Sequence, residues 1–421
     1  MAGALEGIRV LDCTQIIAGP LAGSLLSEMG ADVLKVEALV GEPWRRQAEI
    51  IPGESRNFLV QNRGKRGIAI DLKHPASHPV RERLVEWADV VLTNYRPGAA
   101  QELGLGYETL RAIKPGIIVA EVTAFGEKGP DAYRRGYDIV AQAMSGVTTS
   151  NPNVVDGLPM QVAFAPSDVV TGVSLAWGIT AALYHREKTG EGQLINASLL
   201  LSGLVIQGNS REITAMDVEK RAHWLETLAG MRQRGTPIQE IYQARRAQTP
   251  ELAGNIYYRC YQTADGHIAV GCLGPGPRER FRAALEMRDP RYEEGFDHSP
   301  ENVTRVGKEL VATCEAAFRG KTTGEWMHHL TSFDIACGPL RFVEELFDDP
   351  QVAANGYIVE YEHTLLGPLK GPRPIVTMSG TPTRIQRASP ALGEHTLEML
   401  ATLGFSEPEI DELARHGVIN S

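Results

Sequence analysis

Short β-branched segments alternate with helical patterns through the first third of the chain. The alternating segments are 8–12, 20–29, 32–37, 67–71, 79–88, 89–93 and 116–122. This order predicts an α/β fold with a parallel sheet and helices on both of its faces. Ligands of such sheets bind at the carboxyl ends of the strands. The loops that would form this binding edge are 14–20, 38–65, 94–98 and 123–135.

The chain is long enough for more than one domain. Its 421 residues exceed the usual single-domain size of roughly 100 to 200 residues. From about 207 to 246 the sequence is polar and helical, which is typical of a connecting arm. A strand-rich patch with a hairpin signal follows at 255–272, and helices then continue to 330. We therefore predict a smaller domain at 225–330, with both flanks contributing to a larger one.

Charge and cysteine content narrow the class of protein. A formal net charge of −10 argues against a general nucleic-acid or anionic-membrane surface, so any phosphate site must be local. Five cysteines are scattered without a C-x-x-C pair, and the N-terminal segment does not resemble a secretory leader. No apolar run approaches 18 residues, so no membrane span is expected. The sequence therefore predicts a reduced, cytoplasmic protein.

One acidic residue, Asp168, stands at a sharp strand-to-helix transition inside the otherwise apolar segment 160–198. Two interpretations fit this placement. Ser167 or Asp168 can cap the following helix by accepting its first free backbone N–H groups. Alternatively, Asp168 is a nucleophile, because an aspartate at a helix N-terminus keeps its charge and can face a cleft. Spacing alone leaves both interpretations open.

The first strand and its turn invite a dinucleotide interpretation, since Glu37 closes the second strand where a ribose-binding acid would lie. The glycines do not fit it. The segment 19–23 is not G-x-G-x-x-G, and Pro20 blocks the close backbone approach that a pyrophosphate needs. Pro20 is better explained as the first residue of a helix whose N-terminal amides can still meet an anion.

Several basic residues fall in loops of the same sheet. They are Arg63, Lys65, Arg66, Lys73, Arg96, Arg134 and Arg135. For any one of them, a solvated surface position is the ordinary interpretation. Together they favour a phosphorylated ligand, because polyphosphate recognition needs several cationic donors around one site.

Other chemistries find little support in the sequence. The eleven histidines include no H-E-x-x-H motif, so no metal site is expected. Cys337 precedes Gly-Pro and could be a nucleophile, but no feature marks an activating base, which favours a buried structural thiol. A serine hydrolase is not indicated, because no G-x-S-x-G motif occurs.

A series of motifs in a fixed order carries a family resemblance. The motifs, beside the Asp168 segment, are 5–12 (LEGIRVLD), 18–20 (AGP), 30–37 (GADVLKVE), 62–66 (NRGKR), 71–73 (DLK), 94–98 (NYRPG), 136–138 (GYD), 188–193 (KTGEGQ), 337–339 (CGP) and 392–396 (LGEHT). Over nearly the whole chain they resemble the class III (CaiB/BaiF) coenzyme A transferases. That family includes formyl-CoA transferase, carnitine CoA-transferase and α-methylacyl-CoA racemase.

The resemblance implies a particular architecture. A Rossmann-like, CoA-binding large domain would comprise 1–200 and 346–421, and a smaller α+β domain would comprise 225–330. Linkers at 201–224 and 331–345 would join the two. Two subunits would thread through each other as an interlocked homodimer.

The resemblance also implies a covalent mechanism. Asp168 matches the family's catalytic aspartate, which would carry CoA as an aspartyl-CoA thioester between an acyl-CoA and a free carboxylate. Racemases of the family have a histidine where this chain has Tyr137, so one base of a two-base racemisation is missing. Tyr137 therefore favours transfer. An acyl-CoA racemase or isomerase and a non-catalytic CoA-binding protein remain the alternatives.

By the same resemblance, CoA and acyl-CoA are substrates, and neither a tightly bound cofactor nor a metal is expected. Positions that resemble CoA contacts are Gln15, Ile16, Ala18, Ile70, Lys73, Asn94, Tyr95, Ala99, Arg135 and Tyr137. Departures from formyl-CoA transferase are Ile17 for a glutamine, Ala38 and Glu102 for arginines, and a glycine flap reduced to Gly254, with Gly274 and Gly276 nearby. A formyl/oxalate specialist is therefore not expected, and the donor and acceptor acids stay open.

Overall fold

A computed structural model describes residues 2–96, 98–151, 153–208, 212–248 and 254–420. Pro97 of the NYRPG motif and parts of the predicted linker and smaller domain, at 209–211 and 249–253, lie outside the described residues. The chain divides into two compact units. The first is Met1–Arg221 with Gly356–Ser421, and the second is Ala222–Asn355.

The described strands are β1 (Arg9–Asp12), β2 (Asp32–Glu37), β3 (Glu49–Ile51), β4 (Glu54–Ser55), β5 (Arg66–Ala69), β6 (Val90–Thr93), β7 (Ile118–Thr123), β8 (Val154–Val155), β9 (Leu158–Pro159), β10 (Leu194–Ser198), β11 (Tyr258–Gln262), β12 (His267–Gly271), β13 (Ala336–Pro339), β14 (Ile358–His363) and β15 (Gly367–Pro372).

The described helices are α1 (Ala18–Glu28), α2 (Arg56–Asn62), α3 (His78–Trp87), α4 (Ala99–Glu102), α5 (Tyr107–Ile113), α6 (Asp138–Ser145), α7 (Val147–Ser150), α8 (Pro166–Thr189), α9 (Leu199–Val205), α10 (Val218–Gln233), α11 (Ile238–Arg246), α12 (Pro275–Ala284), α13 (Pro300–Phe318), α14 (Thr323–Ser332), α15 (Pro350–Ala354), α16 (Thr396–Thr402) and α17 (Glu407–Arg415).

A six-stranded parallel sheet organises the first unit, which confirms the predicted α/β class. Its strand order is β10-β7-β6-β1-β2-β5. Counted along the chain, this is the order 3-2-1-4-5-6 of doubly wound nucleotide-binding folds. The order reverses between β1 and β6, which pair in parallel with Val10 opposite Val90. A crevice for ligands is expected outside the carboxyl ends of these two strands.

The sheet buries both faces, because successive side chains of each strand point to opposite sides. Val10 and Val90 belong to one core cluster, which α1 and α8 cover. Leu11 and Val91, the next residue in each strand, belong to the second cluster. Helices α3, α5, α16 and α17 cover that side. The C-terminal helices therefore complete the core that the N-terminal strands begin.

The second unit has its own core. Strands β11, β12 and β13 form an antiparallel sheet in that order. Tyr261 stacks on Phe318 with ring centroids 4.1 Å apart, and Phe318 stacks on Trp326 at 4.4 Å. Such aromatic pairs contribute roughly 0.5–1.5 kcal/mol each beyond the area they bury.

Both predicted linkers contain regular secondary structure in the part of the chain that the structure describes. The range 331–345 contains β13, in which Cys337 pairs with Val270 of β12. The range 201–224 holds most of α9 and the beginning of α10. Strand pairing between segments far apart in sequence left no local signal for β13. No helix in the described part of the chain is long and apolar enough to cross a bilayer.

Cys337 does not have the surroundings of a nucleophile. Burial raises the pKa of its thiol, so the thiolate form is suppressed. Its Sγ lies 3.7 Å from the sulfur of Met327. These contacts agree with the structural role favoured from the sequence.

Candidate active site

A cavity of about 300 Å³ opens at the carboxyl ends of β1, β6 and β7, where the strand order reverses. Its lining residues are Gln15, Ile16, Ala18, Pro43, Asn94, Tyr95, Arg96, Val122, Thr123, Ala124, Arg135, Gly136, Tyr137, Asp168 and Leu199. The sequence predicted this edge from the strand alternation alone. The cavity therefore lies where a doubly wound sheet binds its ligand.

Two loops of the cavity are tied together across the switch point. The backbone N–H of Gln15 donates to Oδ1 of Asn94 at 3.0 Å, and Nδ2 of Asn94 donates to the carbonyl of Gln15 at 2.7 Å. Gln15 follows β1 and Asn94 follows β6. This reciprocal pair fixes the distance between the two loops.

The loop from β1 to α1 has a strained conformation. Ile16 adopts φ of 73°, a left-handed geometry that is rare for a β-branched residue. Such strain costs of order 1–3 kcal/mol and occurs preferentially at functional sites. A side chain at Gly19 would lie 2.4 Å from the side chain of Thr14, so only glycine fits there. Helix α1 begins at Ala18, so Pro20 is its third residue rather than its first.

Asp168 is the third residue of α8 and lines the cavity with only 7% of its surface exposed. The chain enters α8 through Phe164 at φ 66° and Ala165 at φ 49°. Two successive non-glycine residues in the left-handed region make a sharp turn into α8, whereas the strand expected directly before the helix ends at Pro159. The turn places Asp168 in the first turn of the helix.

The capping interpretation of Asp168 is wrong. Asp138, from α6, caps α8: its Oδ1 accepts the backbone N–H of Ser167 at 2.8 Å and that of Asp168 at 3.2 Å. Ala165 occupies the cap position without a side-chain bond, and the buried Ser167 Oγ has no partner among the described residues. The carboxylate of Asp168 therefore makes no capping hydrogen bond to its own helix.

Burial dominates the electrostatics of Asp168. Burial first, and the charge of Asp138 second, raise the pKa of Asp168 to about 7, although the backbone N–H of Ala18 partly opposes this by donating to the carboxylate. The expectation that the helix N-terminus keeps this group ionised was therefore too simple. Near neutral pH the carboxyl group exists in both protonation states, and its ionised form is unusually basic.

Most residues of the predicted cationic cluster form ion pairs within the protein and are not available to bind a ligand. Arg63 pairs with Glu28, Lys65 with Asp12, Arg66 with Asp32 and Arg134 with Asp131, at distances of 2.5, 2.7, 2.6 and 2.6 Å. Lys73 is exposed. Arg96 and Arg135 line the cavity, and neither has an ion-pair partner among the described residues. The cluster therefore supplies two guanidinium groups to this cavity.

A buried ion network anchors the loop that follows β1. Nζ of Lys65 lies 2.7 Å from Asp12, and Nζ of Lys35 lies 2.7 Å from Glu42 and donates to the carbonyl of Thr14. Burial would raise the pKa of Asp12, but Lys65 and Lys35 outweigh it and lower that pKa to about 2. The loop that carries the cavity-lining residues after β1 is therefore anchored by charges inside the protein.

Glu37 cannot serve as a ribose-binding acid. Arg45 binds both of its carboxylate oxygens at 2.8 Å, and the same guanidinium reaches Glu54 at 3.0 Å. All three side chains are buried. Arg45 belongs to the 3-10 turn Pro43–Arg46, so this network also holds Pro43 at the cavity wall.

The structure gathers most of the predicted site residues. Those that line the cavity are Gln15, Ile16, Ala18, Asn94, Tyr95, Arg135, Tyr137 and Asp168. Ile70 is buried just after β5, Lys73 is exposed, and Ala99 begins α4, so these three lie outside the lining. Sequence reasoning missed Asp138, although its place at the start of a helix beside Tyr137 was a usable signal. Among the described residues, no group of three His, Cys, Asp or Glu could hold a metal ion.

Fold and site together define a doubly wound α/β protein with a buried carboxylate and two arginines at its switch point. A sequence model of CoA-transferase family III matches residues 5–396. The chain belongs to this family and is an enzyme of the transferase class.

Named relatives agree with this assignment. Succinyl-CoA:glutarate CoA-transferase of Homo sapiens is 31% identical over 99% of this chain and 90% of its own length. Formyl-CoA:oxalate CoA-transferase of Rhodopseudomonas palustris (strain BisA53) is 32% identical over 100% of this chain and 98% of its own. A CaiB/BaiF family protein from Brucella suis superposes with a TM-score of 0.74 at 27% identity, covering 96% of this chain and 100% of that one.

Proposed function

We propose that the enzyme moves coenzyme A from an acyl-CoA donor to a free carboxylic acid through an aspartyl-CoA thioester on Asp168. One observation carries the proposal: Asp138 caps α8, which leaves the carboxylate of Asp168 free to line the cavity at the switch point. A carboxylate that is buried and without a capping duty is suited to nucleophilic attack.

The reaction would proceed by alternating anhydrides and thioesters. An oxygen of Asp168 attacks the thioester carbonyl of the donor, the C–S bond breaks, and CoA leaves as its thiolate. The thiolate attacks the side-chain carbonyl carbon of Asp168, and the donor acid leaves as a carboxylate. The acceptor carboxylate then attacks the aspartyl thioester and releases the thiolate again. Attack of that thiolate on the acceptor carbonyl gives the new acyl-CoA and restores Asp168, with no net proton transfer.

Stabilisation of the oxyanions formed in these steps is assigned to the N-terminus of α1. The backbone N–H of Ala18 donates to the carboxylate of Asp168. An N–H aimed at this group would also meet negative charge that develops on its oxygen. The close packing of Gly19 against Thr14 and the hydrogen bonds between Gln15 and Asn94 hold this loop in its strained conformation.

Binding of CoA would extend along the carboxyl edge of the sheet. Arg96 and Arg135 offer guanidinium groups for its phosphates. Gln15, Ile16, Ala18, Asn94, Tyr95 and Tyr137 would form the cavity contacts, and Ile70, Lys73 and Ala99 would lie further along the edge. CoA would enter and leave as a substrate instead of remaining as a bound cofactor.

The names of the relatives suggest which acceptors to try first. Their names give glutarate and oxalate as acids that exchange CoA with succinyl-CoA and formyl-CoA. We therefore propose dicarboxylic acids as the first acceptor panel, with monocarboxylic acids of matched length as controls.

Transfer is favoured over racemisation. The cavity lining, as far as the structure describes it, contains Tyr137 and no histidine, so it offers no imidazole to exchange the α-proton. The non-catalytic alternative assumed that Asp168 only caps its helix, and that assumption has failed.

We also propose a homodimer. Helix α8 presents an exposed apolar stripe in which Val173, Trp177 and Tyr184 are 44%, 73% and 67% exposed. Leu201 and Leu204 of α9 add exposed apolar surface. Large exposed apolar side chains grouped on neighbouring helices are typical of a protein contact. Light scattering after size-exclusion chromatography would test this, and a monomeric mass would contradict it.

The activity itself is tested by following exchange between acyl-CoA and labelled carboxylic acids by chromatography. Asp168→Asn should abolish exchange while CoA still binds, because the amide removes the nucleophile at nearly constant volume. Asp131→Asn is a control, since that exposed-loop carboxylate pairs with Arg134 outside the reaction. Exchange at the wild-type rate in the Asp168→Asn variant would refute the proposed role.

A further inference from the structure

Asp138 belongs to α6, but its carboxylate accepts hydrogen bonds from the free backbone N–H groups at the N-terminus of α8. Its Oδ1 accepts from Ser167 at 2.8 Å and from Asp168 at 3.2 Å, and its side chain is buried. Asp138 is the first residue of α6. The beginnings of the two helices therefore lie side by side, joined by one carboxylate.

Gln142 completes this arrangement one helical turn along α6. Its Nε2 donates to Oδ2 of Asp138 and, at 3.0 Å, to the carbonyl of Val162. Its Oε1 accepts the backbone N–H of Val162 at 2.8 Å. Gln142 is fully buried. The segment that leads into α8 is therefore held at Val162 by Gln142 and at Ser167 by Asp138.

The segment between these two points needs such support. Phe164 and Ala165 both have positive φ, and each non-glycine residue in that region costs about 1–3 kcal/mol unless its surroundings enforce it. Phe164 is 93% exposed, so its own side chain packs against little. The conformation that delivers Asp168 to the cavity therefore depends on the Asp138 and Gln142 side chains.

We propose that Asp138 is a positioning residue for Asp168: it binds the free N–H groups of α8 and places a second negative charge beside the nucleophile. This inference rests on the proposed function and deepens it. Through the first contact Asp138 leaves the Asp168 carboxylate free for substrate. Through its charge it makes that carboxylate more basic, and a more basic carboxylate attacks a thioester faster.

Few other charges face Asp168 from the elements packed around it. Helix α1 carries only Glu28, in its last position; α9 and β10 carry no titratable residue; and β7 carries Glu121. The charged residues of α8 besides Asp168 lie in its last turn. The ionisable residues on the cavity wall are Tyr95, Arg96, Arg135 and Tyr137. After burial, Asp138 is the main influence that raises the pKa of Asp168.

The test compares pH profiles of kcat/KM, from about pH 5 to about pH 9, for wild type, Asp138→Asn and Gln142→Ala. Asp138→Asn removes the negative charge beside Asp168. The pH at which kcat/KM begins to fall on the acid side (the acid limb) should therefore move down by about one pH unit. The plateau value of kcat/KM should fall about tenfold. Gln142→Ala removes the hydrogen bonds to Val162 but keeps the negative charge of Asp138. It should lower the plateau and leave the acid limb in place.

Asp138→Ser is a second charge-free variant, and its hydroxyl can still accept an N–H from α8. It should show the same displaced acid limb. Thermal unfolding of each variant gives the folded fraction by which its rates are normalised. An acid limb at the wild-type pH in both charge-free variants would overturn the inference.

Failure of this inference can be distinguished from failure of the proposed function. If wild-type enzyme that turns over carries no CoA on the Asp168 peptide, the proposed function itself fails. If the adduct forms but the acid limb does not move in the charge-free variants, only the role of Asp138 fails.

Discussion

Gln15 and Asn94 exchange two hydrogen bonds across the point where the order of the sheet reverses, at 3.0 and 2.7 Å. The pair joins the loop after β1 to the loop after β6. Both residues also line the cavity. The separation of the two loops is therefore set by the side chain of Asn94 and the backbone of Gln15.

Asn94→Ala should allow these two loops to move apart. Loss of two partly buried hydrogen bonds is expected to lower the free energy of unfolding by about 1–3 kcal/mol and to raise KM for acyl-CoA. Asn94→Asp is the matched control, because its carboxylate keeps the acceptor for the Gln15 N–H but loses the donor. Chemical denaturation and steady-state kinetics give both values. Unchanged KM and stability in the alanine variant would show that the pair is dispensable.

Activity should depend on the ionisation of Asp168. The ionised carboxylate is the nucleophile, and burial with the Asp138 charge raises its pKa to about 7. In wild type, kcat/KM should therefore reach its plateau above pH 7 and fall about tenfold for each pH unit below it. A profile that stays flat down to about pH 5 would mean that a group with an ordinary carboxyl pKa controls the reaction.

The same raised pKa predicts a stability effect. A carboxyl group whose folded-state pKa lies above its unfolded value destabilises the fold most at pH above the folded pKa, and this penalty fades as pH falls from about 7 towards 3.8. Asp168→Asn should therefore stabilise the protein at about pH 8, by up to about 4 kcal/mol, while abolishing exchange. The gain should shrink at about pH 5. Equal or lower stability of the variant at alkaline pH would contradict this account of the site.

The buried ion pair of Lys65 and Asp12 should be essential to the stability of the first unit. Both side chains have no exposed surface, and Lys65→Met would leave the Asp12 carboxylate without its closest cation. A loss of about 3–5 kcal/mol in unfolding free energy is expected. Glu309→Gln, which breaks the exposed pair with Arg305, is the control and should cost less than about 1 kcal/mol. Similar losses for the two variants would refute the distinction.

Arg96 and Arg135 should act on CoA affinity. Alanine at either position should raise KM for acyl-CoA, most strongly at low ionic strength, because salt screens the attraction to phosphate. Arg134→Ala is the neighbouring control, since that side chain pairs with Asp131 at 2.6 Å. Equal effects of the Arg134 and Arg135 variants would indicate a general loss of positive charge instead of a specific contact.

The sequence was sufficient to predict the parallel sheet and the edge of that sheet at which the cavity lies. Alternating apolar strands such as β1 and β6 have a local pattern, and parallel sheets restrict where their carboxyl ends can lie. The edge at which the cavity lies follows from that pattern. The strand β13 was missed because its pairing with β12 joins segments more than sixty residues apart in the chain.

The sequence could not identify the partners of the charged residues, because these pairs also join segments that are distant in the chain. Lys65 looked like a ligand-binding cation, yet it pairs with Asp12 at the end of β1, 53 residues away in the chain. Asp168 looked like a helix cap, yet Asp138 from another helix has that task. Local patterns identify which residues carry charge, but tertiary packing decides which charges remain free.

Mass spectrometry of the Asp168 peptide tests directly whether this residue carries CoA during turnover. Wild-type enzyme is incubated with acyl-CoA in the absence of acceptor acid, quenched in acid and digested, and a parallel sample is treated with borohydride. We expect a CoA adduct on the peptide that contains Asp168, reduction of its aspartyl thioester by borohydride, and neither product from Asp168→Asn. An unmodified Asp168 peptide from enzyme that turns over under the same conditions would contradict this expectation.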